Sequence, residues 1–187
     1  MNLSNLNPTI VVLVVCLFLA IGAVIWMYMQ KQRTQKLRSR FGPEYDRAVS
    51  EHRGRAQAES ELERRAKRVS QFRIEPLNSD ERLKFADDWH REQSLFVDDP
   101  QGAVNHADAL VQNVMRRRGY PVSDFEQNAA DLSVDHSSVV ENYRIAHEIA
   151  LREGRGNTED LRRAMVSYHT LFEDLLEGAE RQKEIQR

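Results

Sequence analysis

Cysteine is almost absent from this chain of 187 residues. The single cysteine, Cys16, lies inside an apolar run near the N-terminus. This excludes an intramolecular disulfide, a thiolate metal site and a cysteine nucleophile in the polar part of the chain. One cysteine in a chain of this length fits a reducing compartment.

Catalytic signatures are also missing. The sequence has no Gly-rich phosphate loop, no His-Glu-x-x-His, no Gly-x-Ser-x-Gly and no calcium-binding loop pattern. His136 and His147 are eleven residues apart, and on one helix they would lie about 16 Å apart, too far to share a metal ion. We therefore expect no cofactor and no metal, and the sequence matches no familiar type of enzyme.

Charge is missing from residues 10–29, which are apolar throughout. Twenty helical residues rise about 30 Å, the thickness of the hydrocarbon core of a bilayer. A cleaved signal peptide would have a basic region before the apolar core and a small-residue cleavage site after it, and neither is present. The helix of a soluble core would show a polar stripe. The sequence predicts one membrane span that stays attached, preceded by a short tail over residues 1–9.

Basic residues are absent before the apolar run and concentrated after it, in a basic juxtamembrane segment over residues 30–42. Flanks rich in Lys and Arg stay in the cytoplasm, so we expect the N-terminus outside and the C-terminal part inside the cell membrane. Such a run also attracts anionic lipid headgroups, although the topology signal alone accounts for it. The candidate lipid contacts are Lys31, Arg33, Lys36, Arg38 and Arg40.

The chain after this segment is acidic. The whole chain has 27 Lys and Arg against 29 Asp and Glu, and five of the basic residues but none of the acidic ones lie in the first forty positions. General nucleic-acid binding needs a basic surface, so nucleic acid is excluded as a partner. The expected partners are the membrane and another protein.

No stretch alternates as a β-strand, and apolar residues recur at helical spacing from residue 43 onward. The predicted fold is all-α, with a single N-terminal transmembrane helix, a charged helical stalk over residues 43–72, a small helical-bundle domain over 78–178 and a flexible tail over 179–187. The apolar stripe of the stalk is narrow, which predicts a solvated helix; a homo-oligomer formed through the stalk or the span is the alternative. That stripe is Ala58, Leu62, Ala66 and Val69.

The bundle has recognisable helix boundaries. Asn78 with Glu81, and Ser123 with Glu126, are spaced as capping boxes. Asp99-Pro100 and Asp135 are typical of helix starts, and Gly119 and Gly178 of helix ends. The clearest apolar stripe predicts that the last long helix packs into the core. Its members are Leu161, Ala164, Met165, Tyr168, Leu171, Phe172, Leu175 and Leu176.

Polar residues near the ends of the predicted helices form a second candidate site. If those ends meet, the residues would line a carboxylate and histidine pocket of the kind an enzyme uses. Helix capping alone accounts for Asp99 and Asp135. The candidate pocket residues are Asp98, Asp99, Tyr120, Asp131, Asp135 and His136.

Four runs carry a resemblance to a known family: 36–47 (KLRSRFGPEYDR), 96–100 (FVDDP), 118–121 (RGYP) and 130–136 (ADLSVDH). With them, the layout resembles an uncharacterised family of bacterial single-pass membrane proteins with a cytoplasmic helical domain. The resemblance implies a bacterial origin and an anchor followed by a helical domain. It implies no activity, cofactor or catalytic residue.

Three functions fit these observations. The first is a protein-interaction or scaffold module tethered at the cytoplasmic face of the membrane, which the missing catalytic signatures favour. The second is an enzyme that uses an unrecognised carboxylate and histidine pocket. The third is a structural element of the membrane surface, acting through the basic segment and the stalk.

Overall fold

The chain forms helices and connecting turns over the residues that the structure describes, 8–152 and 157–185, with side chains described over 11–152 and 157–178. No strand occurs within those ranges, so the all-α fold predicted from the sequence is confirmed. Most of the predicted tail over residues 1–9 lies outside them. In this computed structural model the helices are α1 (Pro8–Phe41), α2 (Pro43–Glu51), α3 (Arg55–Val69), α4 (Ser79–Leu95), α5 (Pro100–Arg118), α6 (Phe125–Asp135), α7 (Val140–Ala150) and α8 (Thr158–Ile185).

Helix α1 changes character along its 34 residues. It is the one helix in the described part that is long and apolar enough to cross a membrane, a property that a signal sequence shares. Its most apolar window has a mean hydropathy of 2.8 and buries none of its residues in the protein. The last turns of the same helix bury Leu37 and Phe41. A single uninterrupted helix therefore joins the apolar segment to the folded domain.

The first core lies where the end of α1 meets α2, α3 and α6. The chain reverses at Gly42, whose φ of 48° suits glycine, and α2 then folds back beside α1. Beyond α2, helix α3 fills the space between α1, α2 and α6. The buried apolar side chains are Leu37, Phe41, Tyr45, Ala48, Ala58, Leu62, Val69 and Val134.

The prediction of a solvated helix in the stalk is wrong for α3. Ala58 and Leu62 are fully buried, and so is the carboxylate of Glu59. The apolar stripe understates the buried face of α3, because charged residues beside the stripe also point inward and form ion pairs with other helices. Arg65 and Arg68, for example, pair with carboxylates of α2 and α6.

The second core is built around α5, which packs against α4, α7 and α8. The apolar stripe of α8 lies in this core, and Phe172 is buried as the periodicity predicts. The ring of Phe172 stacks on Trp89 with centroids 4.8 Å apart. On the other side of the core Tyr143 meets Tyr168 edge to face at 6.2 Å.

Helix α6 belongs to both cores. Leu132 packs into the second core, and Val134, two residues further on, packs into the first. Residues two apart on a helix point to nearly opposite sides. This short helix therefore joins the two cores, together with Phe72 and Ile74, which pack against both.

Several helix boundaries agree with the sequence. Asn78 and Glu81 form a reciprocal capping box, with N···O distances of 2.9 and 3.0 Å. Asp99 caps α5 by accepting a hydrogen bond from the backbone N–H of Gly102. Gly119 ends α5 with a φ of 98°. A side chain there would collide with the carbonyl oxygen of Arg73.

Three other boundaries differ from the sequence-based expectation. Asp124 caps α6 where a capping box at Ser123 was expected. Asp135 does not cap α7, because it is still the last residue of α6 and the N-cap position of α7 is Val139, four residues further on. The Asp135 carboxylate lies 3.5 Å from Arg40. Helix α8 does not end at Gly178 but continues to Ile185, so part of the predicted tail over 179–187 is helical.

Candidate functional site

The structure brings four of the six predicted pocket residues together, Tyr120, Asp131, Asp135 and His136. They lie where the end of α5 meets α6 and α8. The other two, Asp98 and Asp99, are exposed at the opposite end of α5. A helix of 19 residues separates the two ends by about 28 Å. The six residues therefore do not form one pocket.

His136 is the centre of a buried polar cluster. Its Nδ1 lies 2.5 Å from a carboxylate oxygen of Asp174, and its Nε2 lies 3.3 Å from Nη1 of Arg118. A guanidinium group can only donate, so Nε2 accepts and the ring proton sits on Nδ1, where it is donated to Asp174. Arg118 also donates to the backbone carbonyl of Leu175, at 3.0 Å. The cluster thus joins α5, α8 and the end of α6.

Tyr120 and Asp131 lie beside this cluster with perturbed acidities. Burial, reinforced by the carboxylates of Asp135 and Asp131, raises the pKa of the Tyr120 hydroxyl, which therefore stays protonated. Burial also raises the pKa of Asp131, although Arg68, 3.0 Å away, and Gln127 act in the opposite direction. The Tyr120 ring lies 6.2 Å from the imidazole of His136.

The cluster is packed against the backbone of α8. A Cβ atom built on Gly178 would lie 3.3 Å from both Nη1 of Arg118 and Cε1 of His136, so the glycine lets the helix approach closely. Arg118 and His136 are almost fully buried. The cluster holds α5, α6 and α8 together. Its residues do not line the grooves described below.

Sequence reasoning missed two charged members of this cluster. Arg118 is the last of three arginines in the final turn of α5, where basic residues complement the helix dipole, so its local sequence does not indicate burial. Asp174 lies among the apolar positions of α8, three residues after Leu171 and one before Leu175. A single acid on the inner face of an apolar stripe is the signal that could have indicated a buried polar partner.

Three of the five basic juxtamembrane residues form ion pairs on the surface of the domain. Arg33 forms a bidentate pair with Glu63, both bonds 2.6 Å long, and Arg38 pairs with Asp46 at 3.0 Å. Arg40 lies 3.5 Å from Asp135. Within the described residues, Lys31 and Lys36 are exposed and form no ion pair. Only two of the five predicted lipid contacts are therefore unpaired.

A groove lies between α4 and α8. It has a volume of about 300 Å³, an aromatic and aliphatic floor and a polar rim. Trp89 lies in the floor, with its ring 4.9 Å from His169 and 4.8 Å from Phe172. The groove is lined by Trp89, Gln93, Phe96, Arg162, Met165, Val166, His169 and Thr170.

No group of three or more His, Cys, Asp or Glu side chains is arranged to hold a metal ion in the part of the chain that the structure describes. His136, Asp174 and Asp131 are engaged by protein partners, and the groove between α4 and α8 offers apolar surface with a few hydrogen-bonding groups. Comparison with family models, curated proteins and solved structures found no match to this chain.

Proposed function

We propose that this chain is an integral single-pass membrane protein whose helical domain binds another protein at the cytoplasmic face of the membrane. The groove between α4 and α8 is the observation that carries the proposal. The occupant is an amphipathic helix of the partner, which inserts an apolar side chain over Trp89.

The packing of the second core positions this groove. Helix α4 packs on α5, and α8 packs on α5 and α7. Helices α4 and α8 meet each other through Trp89, whose ring lies against Phe172 and His169, and the groove runs beside this contact. Val166, on the α8 side, is 54% exposed although it is aliphatic. Gln93, Arg162 and Thr170 provide hydrogen-bonding groups around the apolar floor. An apolar floor with a polar rim is the usual form of a groove that receives a helix.

The location in the membrane rests on α1. Its apolar part is exposed over its whole length, and its basic side chains all lie on the C-terminal side. Trp26 and Tyr28, also exposed, stand at that end, where aromatic side chains favour the headgroup layer. These features support a span with the N-terminus outside and the domain in the cytoplasm.

The single cysteine makes the orientation measurable. In a Cys16→Ser background, Leu151→Cys places one thiol at a position that is 69% exposed in the domain. We expect a membrane-impermeant maleimide to leave this thiol unlabelled in intact cells and to label it in inverted membrane vesicles. Labelling of intact cells would overturn the orientation. Labelling after detergent treatment controls for access to the thiol in both preparations.

The groove can be tested by photo-crosslinking in cells. A photoreactive amino acid at Val166 should give a discrete adduct with one protein, whereas the same group at Leu151, exposed elsewhere on the domain, should not. Thr170→Arg should remove the adduct by filling the groove, and Leu151→Arg should not. The proposal fails if the adduct survives Thr170→Arg or if both positions give the same adducts. Circular dichroism melts of each variant control for folding.

A further inference from the structure

The direction of α2 and α3 places their connecting turn toward the apolar part of α1. Helix α2 starts beside the end of α1 at Gly42 and runs back along it for nine residues, about 13 Å. Helix α3 then runs parallel to α1. Thr34 donates to Glu59 at 2.7 Å, near the start of α3, and Ala66, near its end, shares a groove with Leu37 and Arg40. The turn over residues 52–54 is therefore the end of the domain nearest the predicted span.

Arg55 shows how near this end comes to the span. It lines a groove together with Trp26, Met27 and Lys31 of α1, so its side chain lies at the level where the apolar run ends. Arg38 and Arg40 lie on α1 about 14 and 17 Å beyond Met29, the last apolar residue. The turn, and not the distal part of the basic segment, thus occupies the depth of the lipid headgroups.

The basic side chains at this end are unpaired. Arg53 and Arg55 are exposed and form no ion pair in the described part of the chain, in contrast to Arg33, Arg38 and Arg40. Lys31 is exposed and unpaired at the same level. The first turn of α3 contains no acid. Three unpaired cations therefore lie at this end of the domain, and the nearest carboxylate along the chain, Glu51 at the end of α2, is paired with Arg47.

From this placement we infer that the α2–α3 turn is a second membrane contact, in which Arg53 and Arg55, together with Lys31, bind the headgroups of anionic phospholipids. The inference rests on the proposed membrane anchoring. It moves the lipid contact away from the arginines of α1 that the sequence suggested, because those form ion pairs within the domain. Each basic side chain at the depth of the headgroups should raise the protein's affinity for an anionic lipid, relative to a neutral one, by about fivefold at low salt.

The preference can be measured on the full chain reconstituted in phosphatidylcholine vesicles. Electron spin resonance of spin-labelled phosphatidylglycerol and phosphatidylcholine gives the fraction of each lipid held at the protein. We expect the wild type to hold phosphatidylglycerol severalfold more strongly. Arg53→Gln/Arg55→Gln should lose most of this preference, Arg53→Lys/Arg55→Lys should keep it, and 1 M NaCl should abolish it, since the screening length is then about 3 Å.

The matched control is Arg38→Gln/Arg40→Gln, which removes the same charge from paired and more distant positions. It should keep the preference for phosphatidylglycerol. Equal losses in the two double variants, or no loss in Arg53→Gln/Arg55→Gln, would overturn the inference. Resistance to an alkaline carbonate wash tests the anchoring separately. A wild type that is washed off the vesicles would overturn the membrane proposal itself.

Discussion

The two cores of this domain are stabilised in different ways. The second core is filled by large apolar side chains such as Trp89, Tyr143, Tyr168 and Phe172, and its buried charges are confined to the His136 cluster at one end of α5. The first core has few large side chains, and it buries the carboxylates of Glu44 and Glu59 among them. The difference teaches that a helix with too little apolar surface can still be a core helix when its charged neighbours are paired from other helices.

The ion pairs of the first core show how this is achieved. Glu44 of α2 is almost fully buried, and it accepts hydrogen bonds from Arg65 of α3 at 3.0 Å and from Arg144 of α7 at 2.7 Å. Glu59 accepts from Thr34 of α1 and from the hydroxyl of Tyr45. Taking charges out of water is costly, and Glu44 is accordingly paired with two arginines. Glu59 has only neutral donors, both on one oxygen, and its second oxygen is buried without a hydrogen-bond partner in the described part of the chain. The polar contacts therefore specify the arrangement of α1, α2, α3 and α7.

The largest effect should come from the second core. Phe172→Ala removes a buried ring that stacks on Trp89, and we expect it to lower the free energy of unfolding by about 3–5 kcal/mol. Urea denaturation followed by circular dichroism measures the loss. Val166→Ala, an exposed position on the same helix, should change stability by less than about 0.5 kcal/mol. An unchanged midpoint for Phe172→Ala would mean that this face is not core.

A smaller loss is expected from the first core. Glu44→Gln leaves Arg65 and Arg144 without their shared carboxylate, and we expect a loss of about 3 kcal/mol. Hydrogen exchange separates the two cores, because in the Glu44→Gln variant the protection of backbone amides should fall in α2 and α3 more than in α8. Glu51→Gln removes an exposed partner of Arg47 and should cost less than about 1 kcal/mol. Equal protection losses in both cores would show that they unfold as one unit.

The smallest effect is a change in the pH dependence of stability. Burial raises the pKa of Asp131 above its value in the unfolded chain, so its favourable contribution is present at low pH and is lost as the pH rises through the folded pKa. The side chain in Asp131→Asn stays neutral at every pH. The stability of this variant relative to wild type should therefore increase as the pH rises from the unfolded pKa of Asp131 to its folded pKa. Denaturation midpoints at a series of pH values measure this. A constant difference would contradict the raised pKa.

The positions of the helices could be predicted well from the sequence, whereas the contacts between helices could be predicted less well. Apolar spacing identified the stripe of α8, and a local pair such as Asn78 and Glu81 identified a cap, because both signals lie within a few residues. The burial of α3 could not be predicted, because the partners of its charges lie elsewhere in the chain. Arg68, for example, binds Asp131, which is 63 residues away.

The candidate polar pocket divides in a way that helix geometry explains. Tyr120 and His136 were grouped with Asp98 and Asp99 because all four lie close to helix ends. Asp99 precedes α5 and Tyr120 follows it, so the length of that helix alone separates the two pairs. The approach of His136 to Tyr120 depends on how α6 packs, which local patterns do not reveal.

The continuity of α1 has a mechanical consequence. Between Met29 and the buried Leu37 the helix has no glycine, proline or break that could act as a hinge. Any tilt or rotation of the apolar half therefore turns the first core with it, and α6 carries the movement on to the second core. One residue inserted between these positions would rotate the domain by about 100° relative to the span and shift it by about 1.5 Å. A domain joined in this way keeps one orientation relative to the apolar half of α1, so the groove between α4 and α8 always opens toward the same side of that helix.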